Sequence, residues 1–508
     1  MSQLFAKKSL KTLLDEMEGG NRLRRILGPV QLTSLGVGCI IGVGIFVVTG
    51  VAADRTGPAL MLSFVVAGLA CVFSALCYAE FASMVPVAGS AYTYAYATLG
   101  ELLAWIIGWD LVLEYGVGAA TVANGWSGYF DDFINVFHRT VPAALRQAPF
   151  DINPQGHLYA TGAICNLPAI IITSILTAVL VKGIRESATF NSVMVIIKVS
   201  IVLFVIAVGA FYINPANWHP FAPYGLGGIT VFGHTLWGQG TADKPVGMLA
   251  GAAIMFLAYI GFDSVSTHAE EARNPRRDVP IGIIASLLIC TVLYCAVAAV
   301  ITGMVPYQKI DVNAPVAAAF RDAGLDWARY IISAGALVGI TSVLLVLLLS
   351  QPRVLLAMAR DKLLPPSFFG AVHPRFRTPW KSTILAGTFV SLMAAFLPIR
   401  FLTELVNVGT LLAFIIVCAS VLIMRRTHPE AERPFRAPLV PLVPILGMLF
   451  CLLLMFSLPW ENWVRLGVWL LIGFVIYFGY GRQRSTLNPR NAAAAGPTAG
   501  TPSEAARQ

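Results

Sequence analysis

Long apolar runs alternate with short polar segments along most of the 508-residue chain. An α-helix rises about 1.5 Å per residue, so about 20 apolar residues cross a hydrocarbon core of about 30 Å. The pattern predicts an all-α integral membrane protein with twelve transmembrane helices. The predicted spans are 32–53, 59–84, 99–130, 161–182, 189–212, 247–268, 280–304, 329–352, 380–398, 402–426, 438–458 and 463–481.

These spans predict one membrane domain, residues 31–481, between two polar ends. Residues 1–30 are polar, and no small-residue cleavage site follows them, which argues against a cleaved secretion signal. Residues 482–508 are rich in Ala, Gly and Pro, so we expect a disordered tail.

Glycines interrupt two of the spans. Span one has four glycines between residues 36 and 44, and span six has Gly261 near its centre. A glycine in a helix interior destabilises the helix by about 1 kcal/mol, so we predict local unwinding. Close packing of neighbouring helices through small residues is the alternative. The two spans are five apart, the spacing expected if helices 1–5 and 6–10 are inverted repeats. We therefore expect two broken helices around a site near the bilayer midplane.

Unwound backbone at these two places offers complementary chemistry. Free N–H groups and the positive end of a half-helix in span one suit a carboxylate, and free carbonyls in span six suit an ammonium group. The predicted binding residues are Ile40, Ile41, Gly42, Val43 and Gly44 in span one and Phe256, Ala258, Tyr259 and Ile260 in span six. Anion and cation capture at one site suits a zwitterionic amino acid.

One lysine, Lys198, lies in the middle of span five. A charged side chain at that depth costs roughly 2.5 to 3.5 kcal/mol, and such groups usually bind anions or carry protons. We interpret Lys198 as a proton-coupling group, with a structural ion pair as the alternative. Glu114 in span three is a second candidate, which could act as a relay partner of Lys198 or face a basic substrate, with a hydrogen-bonded packing residue as the alternative.

The net charge of +9 follows the predicted topology. With the N-terminus inside, 25 of the 35 Lys and Arg residues fall on cytoplasmic segments and 9 on external ones. This bias predicts cytoplasmic termini and an attraction to anionic membrane lipid, and it does not require a nucleic acid partner. The eight cysteines form no CxxC pair, and no nucleophile–base pair or phosphate loop is evident. We predict no enzymatic activity, no cofactor and no metal.

Five motifs carry a family resemblance. They are GCIIGVGIF at 38–46, CYAEFASMVPVAGSAYTY at 77–94, WDLVLEY at 109–115, FLAYIGFDSVSTHAEEARNPRRDVPIGI at 256–283 and MARDKLLPPSF at 358–368. From about residue 15 to 480, the chain resembles the bacterial branch of the cationic amino acid transporter family in the amino acid–polyamine–organocation (APC) superfamily. This resemblance implies a leucine-transporter-like five-plus-five inverted repeat with helices 11 and 12 appended. It also implies amino acid permease activity in the bacterial inner membrane.

The resemblance also implies roles for single residues. Gly42 to Gly44 match the helix-1 break that holds the substrate carboxylate, and Phe256 to Ile260 match the helix-6 break that binds the amino group. Lys198 matches a helix-5 lysine that stands where sodium-coupled relatives bind sodium. Thr341 and Ser342 match the hydroxyl pair that would ligate that ion. Proton coupling without sodium is the implied mechanism.

The chain departs from the family pattern in several places. Val43 replaces a common Thr, Leu257 replaces a usual aromatic residue, and residues 229–246 are additional. Leu347 falls at a position that faces the side-chain pocket, and its branched apolar side chain favours small or medium neutral substrates over arginine or lysine. We expect secondary active proton symport of a neutral L-amino acid, with cationic amino acids as the broader alternative. Exchange, a non-transporting sensor and an accessory membrane subunit stay open.

Overall fold

The structure is a computed structural model that describes residues 3–8, 27–84, 90–152, 158–183, 188–231, 234–241, 244–267, 272–376 and 378–488. Over these ranges the chain is mostly helical. Seven helical segments there are long and apolar enough to cross a membrane, and four shorter apolar helices accompany them. The count of twelve spans and the inverted repeat stay predictions. Most of the predicted N-terminal segment and tail (9–26 and 489–508) lies outside the described residues.

The helices are numbered in chain order. They are α1 Pro29–Ile40, α2 Thr49–Thr56, α3 Leu60–Met84, α4 Ser90–Thr98, α5 Glu101–Ile134, α6 Leu167–Lys182, α7 Ala188–Gly209, α8 Met248–Met255, α9 Ser264–Thr267, α10 Pro275–Met304, α11 Pro315–Asp322, α12 Asp326–Arg360, α13 Pro366–Phe369, α14 Trp380–Phe396, α15 Ile399–Thr427, α16 Leu442–Phe456, α17 Trp460–Ile476 and α18 Arg482–Arg484. Several begin with proline, whose missing N–H would have no partner in a first helical turn.

Three short antiparallel hairpins lie in the two long loops. The strands are β1 Phe150–Ile152, β2 Leu158–Ala160, β3 Ile229–Val231, β4 His234–Trp237, β5 Gln239–Thr241 and β6 Lys244–Val246. The pairs are β1–β2, β3–β4 and β5–β6. The additional residues before span six therefore form two of the hairpins. The Gly247 N–H after β6 donates to the Arg55 carbonyl of α2 at 2.9 Å, which fixes this loop to the helical body.

Burial separates central from peripheral helices. α5 is buried along most of its length and packs against α12 and α15. α10 packs against α1 and α3. In contrast, α7 and α17 leave apolar side chains such as Ile196, Leu203, Val468 and Val475 exposed. Apolar side chains exposed over a whole helix face are typical of a surface that another apolar medium covers.

Candidate functional site

The helix of span one is broken at the predicted place. α1 ends at Ile40, and Ile41 is extended, with φ −71° and ψ 106°. A π-helical turn at Gly44–Val48 then leads into α2. The Phe46 N–H donates to the Gly42 carbonyl at 3.2 Å at the start of this second half. The first N–H groups of a helix have no partner within it, so this restart directs unpaired donors at the break.

The helix of span six is broken as well. α8 ends at Met255 and tightens into a 3₁₀ turn at Phe256–Tyr259, after which Ile260 is extended, with φ −57° and ψ 135°. Gly261 follows with φ +115°, a conformation that favours glycine because it has no Cβ. A Cβ there would also lie 3.1 Å from the Cys39 carbonyl oxygen on α1.

The two breaks touch each other. A methyl group on Gly44 would lie 2.3 Å from Ala258 Cα and 2.5 Å from Ala258 Cβ, well inside van der Waals contact. Only glycine allows this approach. The predicted residues on both breaks are buried. The structure therefore brings the residues predicted to bind carboxylate and those predicted to bind ammonium into one place.

A tyrosine that the sequence analysis missed bridges the breaks. The Tyr294 hydroxyl on α10 lies 2.7 Å from the Ile40 carbonyl oxygen and 3.0 Å from the Ala258 carbonyl oxygen. A tyrosine hydroxyl has a single proton, so the two carbonyls share one donor. The sequence offered no signal for this role, because a tyrosine in an apolar span usually packs against neighbouring helices.

An asparagine on α15 was missed for a similar reason. The Asn407 side-chain amide donates to the Ala253 carbonyl at 2.9 Å and to the Ile254 carbonyl at 3.3 Å. These carbonyls lie in the last turns of α8, where the helix loses its regular hydrogen bonds to the break. Asn407 therefore supports the end of α8. A polar amide in an apolar span was the available signal.

One stripe of α12 connects the first break to Lys198. Gly339, Val343 and Leu347 are four residues apart, so they lie on one helix face. A Cβ built on Gly339 would lie 3.2 Å from Lys198 Cγ, one on Gly42 would lie 2.6 Å from Val343 Cγ2, and one on Gly118 would lie 3.7 Å from Leu347 Cδ1. The stripe therefore contacts α7, the first break and α5 in turn.

Lys198 is completely buried on α7. Its ammonium group donates to the Gly38 carbonyl of α1, and its electrostatic neighbours include the Cys39 and Cys290 thiols. The side chain also packs on Gly339 of α12. Lys198 therefore ties α7 to α1 and α12, close to the end of α1 that leads into the break.

The predicted hydroxyl pair lies on α12 near this lysine but has other partners. Thr341 Oγ1 donates to the Leu337 carbonyl at 2.7 Å and accepts from Trp126 Nε1 at 2.9 Å. Ser342 Oγ donates to the Gly339 carbonyl at 3.1 Å. Within the described residues, neither hydroxyl is hydrogen bonded to the lysine.

Glu114 has a different neighbourhood from Lys198. It is buried on α5, and its electrostatic neighbours are Asp110 and Asp263. The Tyr115 hydroxyl donates to Asp263 Oδ2 at 2.9 Å, so an adjacent residue of α5 holds this carboxylate next to the second break. The structure therefore places Glu114 near the carboxylate that follows the break in span six, and in the described part of the chain it shows no hydrogen bond between Glu114 and Lys198.

The aromatic rings of the second break point away from the first. The Phe256 ring packs on Phe414 of α15, with centroids 5.4 Å apart. The Tyr259 hydroxyl donates to the Phe64 carbonyl of α3 at 2.9 Å. At this break, therefore, the backbone and Ala258 face the first break. Within the described residues, no group of three or more His, Cys, Asp or Glu side chains could hold a metal ion.

Comparison with known proteins matches this chain to one family model and to relatives that are named as transporters. The model of the amino acid permease family matches residues 27–479. The methylthioribose transporter of Bacillus subtilis is 46% identical over 489 residues, which cover 96% of this chain and 100% of the relative. The branched-chain amino acid permease of the same organism is 47% identical over 486 residues, covering 96% and 99%. The vacuolar cationic amino acid transporter 4 of Arabidopsis thaliana is 38% identical over 438 residues, covering 85% and 68%.

Proposed function

The chain belongs to the amino acid permease family, and on this premise we propose that it is a secondary active transporter that carries a neutral L-amino acid together with a proton. The contact between the two helix breaks carries this proposal. We further propose the twelve-span, five-plus-five inverted-repeat architecture as its framework, since the breaks fall in spans one and six. The family and the transporter-named relatives point to a transporter and not to an enzyme.

Backbone groups at the breaks hold the two charged ends of the substrate. The N–H groups around Gly42 and Gly44, at the start of a half-helix, donate to the carboxylate. Carbonyls of the 3₁₀ turn Phe256–Tyr259 accept the ammonium group. The Ala258 carbonyl shares the Tyr294 proton and has a second lone pair, so it keeps acceptor capacity for a ligand.

An apolar wall selects the side chain. Val343 and Leu347 stand one turn apart on the face of α12 that meets Gly42 and Gly118, and both are largely buried. An isolated charge buried against such a wall costs several kcal/mol, so a neutral side chain is preferred over a cationic one. The name of the branched-chain amino acid permease supports this proposal, whereas that of the methylthioribose transporter names a ligand without a carboxylate.

Lys198 couples a proton to the movement of α1. When charged, its ammonium group donates to the Gly38 carbonyl and holds α1 against α7 and α12. Loss of the proton weakens this donor and loosens the end of α1 at the carboxylate site. The hydrogen-bond acceptor of Lys198 is the Gly38 carbonyl, and the Cys39 and Cys290 thiols lie nearby, so no carboxylate in the described part of the chain holds the charge by a hydrogen bond. The charged ammonium group therefore holds α1, α7 and α12 together without a sodium ion.

Uptake into proteoliposomes tests the coupling. With the outside one pH unit more acidic and the membrane potential held at zero by potassium and valinomycin, a one-proton symporter accumulates neutral substrate up to about tenfold. Lys198→Met is expected to abolish accumulation, and Lys182→Met, which removes an exposed lysine at the end of α6, is expected to preserve it. Substrate accumulation by a folded Lys198→Met protein would contradict the proposed role of Lys198 in proton coupling. Folding is checked by size-exclusion chromatography and thermal unfolding.

The same vesicles separate the rival functions. An exchanger takes up label only when unlabelled amino acid is inside, and it ignores the pH gradient. A sensor binds its ligand and shows no flux in either format. The ligand panel is leucine, valine, alanine, arginine and methylthioribose, and a clear preference for arginine or methylthioribose contradicts the proposed substrate class.

The proposed location is the bacterial inner membrane with both termini in the cytoplasm. The distribution of basic residues supports this orientation. Single cysteines introduced at Gln3 and Asn488 in a variant without native cysteines should react with an impermeant maleimide only after cells are opened. Labelling in intact cells contradicts the orientation.

A further inference from the structure

A groove lies on the outer face of α10, near its first residue. Its volume is about 430 Å³. We call it the arginine groove and define it by Arg276, Arg277, Ile281, Ile284, Leu288 and Phe435, which line it. None of these side chains belongs to the site between the helix breaks.

The groove has the length of one lipid leaflet. Residues 277, 281, 284 and 288 are spaced three or four apart, so they form one stripe along α10. From Arg277 to Leu288 the helix rises roughly 16 Å, close to half of a hydrocarbon core of about 30 Å. Leu288 is 54% exposed on this face of a helix that is long and apolar enough to span a membrane.

The opposite wall is held in place by a buried carboxylate. Glu80 on α3 accepts from Arg425 Nη2 at 2.7 Å and from the Ala437 N–H at 2.8 Å. The neighbouring Arg433 guanidinium donates to the His428 carbonyl at 2.7 Å and lies 3.4 Å from Glu80. Phe435 lies within this tied loop, so its wall of the groove is preformed.

The charged mouth of the groove is available to an anion. Arg276 pairs with Glu432 at 2.9 Å, but both side chains are more than half exposed, and such pairs contribute little. The Arg277 side chain is exposed and has no ion pair within the described residues. The adjacent Asp278 is buried and accepts from the Asn274 N–H, so its charge is directed at the helix start. Two guanidinium groups suit a phosphate, which they can bind through paired hydrogen bonds.

We propose that the arginine groove binds one anionic phospholipid of the cytoplasmic leaflet. Arg276 and Arg277 bind its phosphodiester, and one acyl chain lies along Ile281, Ile284 and Leu288. The arrangement combines basic groups at the predicted cytoplasmic face with an apolar channel directly below them. This binding does not depend on the transport proposed above.

The bound lipid links two parts of the helical body. Arg273 lies just before α10, and Leu27 lies just before α1. The Arg273 N–H donates to the Leu27 carbonyl at 2.8 Å. Phe435, on the other wall, belongs to the loop tied to Glu80. A lipid in contact with both walls joins α10 to that loop, so its occupancy should raise thermal stability.

Thermal unfolding of the detergent-purified full-length protein tests the proposal. Phosphatidylglycerol should raise the unfolding midpoint in a saturable way, whereas phosphatidylcholine with the same acyl chains and soluble glycerol phosphate should not. The double variant Arg276→Gln/Arg277→Gln should weaken the apparent lipid affinity by tenfold or more. Arg375→Gln/Arg426→Gln removes the same charge from exposed positions outside the groove and should bind as the native protein does.

A groove-filling variant separates the acyl chain from the headgroup. Ile284→Trp keeps both arginines and should also weaken phosphatidylglycerol binding, measured by native mass spectrometry. If the two double arginine variants weakened phosphatidylglycerol binding equally, the lipid would be attracted by surface charge in general, and the proposal would be overturned. Saturation of the effect by glycerol phosphate or inorganic phosphate would overturn it in favour of a free-anion site, and equal binding of phosphatidylcholine would remove the role of charge.

Discussion

Removal of the Tyr294 hydroxyl is expected to weaken the contact between the two helix breaks. Tyr294→Phe keeps the ring, which packs on Phe64 and Tyr259 with centroid distances of 5.3 and 5.5 Å. The variant removes the shared donor of the Ile40 and Ala258 carbonyls. Leaving a buried acceptor unsatisfied costs about 1–3 kcal/mol. If that loss falls on the state that binds substrate, the affinity decreases roughly 5- to 150-fold, because 1.4 kcal/mol corresponds to about tenfold.

Equilibrium binding of the preferred amino acid to purified protein measures this effect, with thermal unfolding recorded in parallel. Tyr477→Phe is the matched control, because Tyr477 is also buried and donates to Glu101 at 2.9 Å, outside the two breaks. We expect both variants to lower the unfolding midpoint and only Tyr294→Phe to lower the affinity. Unchanged affinity in a Tyr294→Phe protein that is destabilised as much as the control would refute the reasoning.

Two further predictions concern other contacts in the fold. Gly44→Ala places a methyl group 2.3 Å from Ala258 Cα, so the breaks must separate by about 1 Å to reach ordinary contact. Substrate binding and uptake should therefore be lost. The control Gly467→Ala places its methyl group in open space, and this variant should bind substrate normally. Arg55→Met removes the partner that the buried Glu404 has at 2.5 Å and leaves it Arg465 at 3.9 Å, so it should destabilise the protein by roughly 3 kcal/mol. Arg55→Met/Glu404→Leu should recover part of the unfolding midpoint. A single variant as stable as the native protein would contradict the second prediction.

The partners of Lys198 change the meaning of its burial. A lysine paired with a buried carboxylate forms a fixed ion pair, and breaking such a pair costs several kcal/mol. Lys198 instead donates to the Gly38 carbonyl beside two thiols. A carbonyl dipole holds an ammonium group less strongly than a full negative charge, so protonation can change without leaving an opposite charge buried. This is the physical reason for preferring coupling over a purely structural role.

The local sequence anticipated the parts of the site that depend on backbone propensity. Glycine weakens a helix wherever it occurs, so Gly42, Gly44 and Gly261 indicated both breaks, and the spacing of the two spans indicated that the breaks contribute to one site. The burial of Lys198 followed from the apolar residues around it.

The sequence alone indicated the membrane class, the places where two helices break and the burial of Lys198, because each depends on composition and spacing along the chain. Only the tertiary structure decided which side chains meet across segments. Tyr294 serves the breaks because α10 packs against α1, and Glu114 lies beside Asp263 because α5 passes the second break. Helix rotation and packing set these pairings, and they join residues far apart in the chain, so no local pattern encodes them.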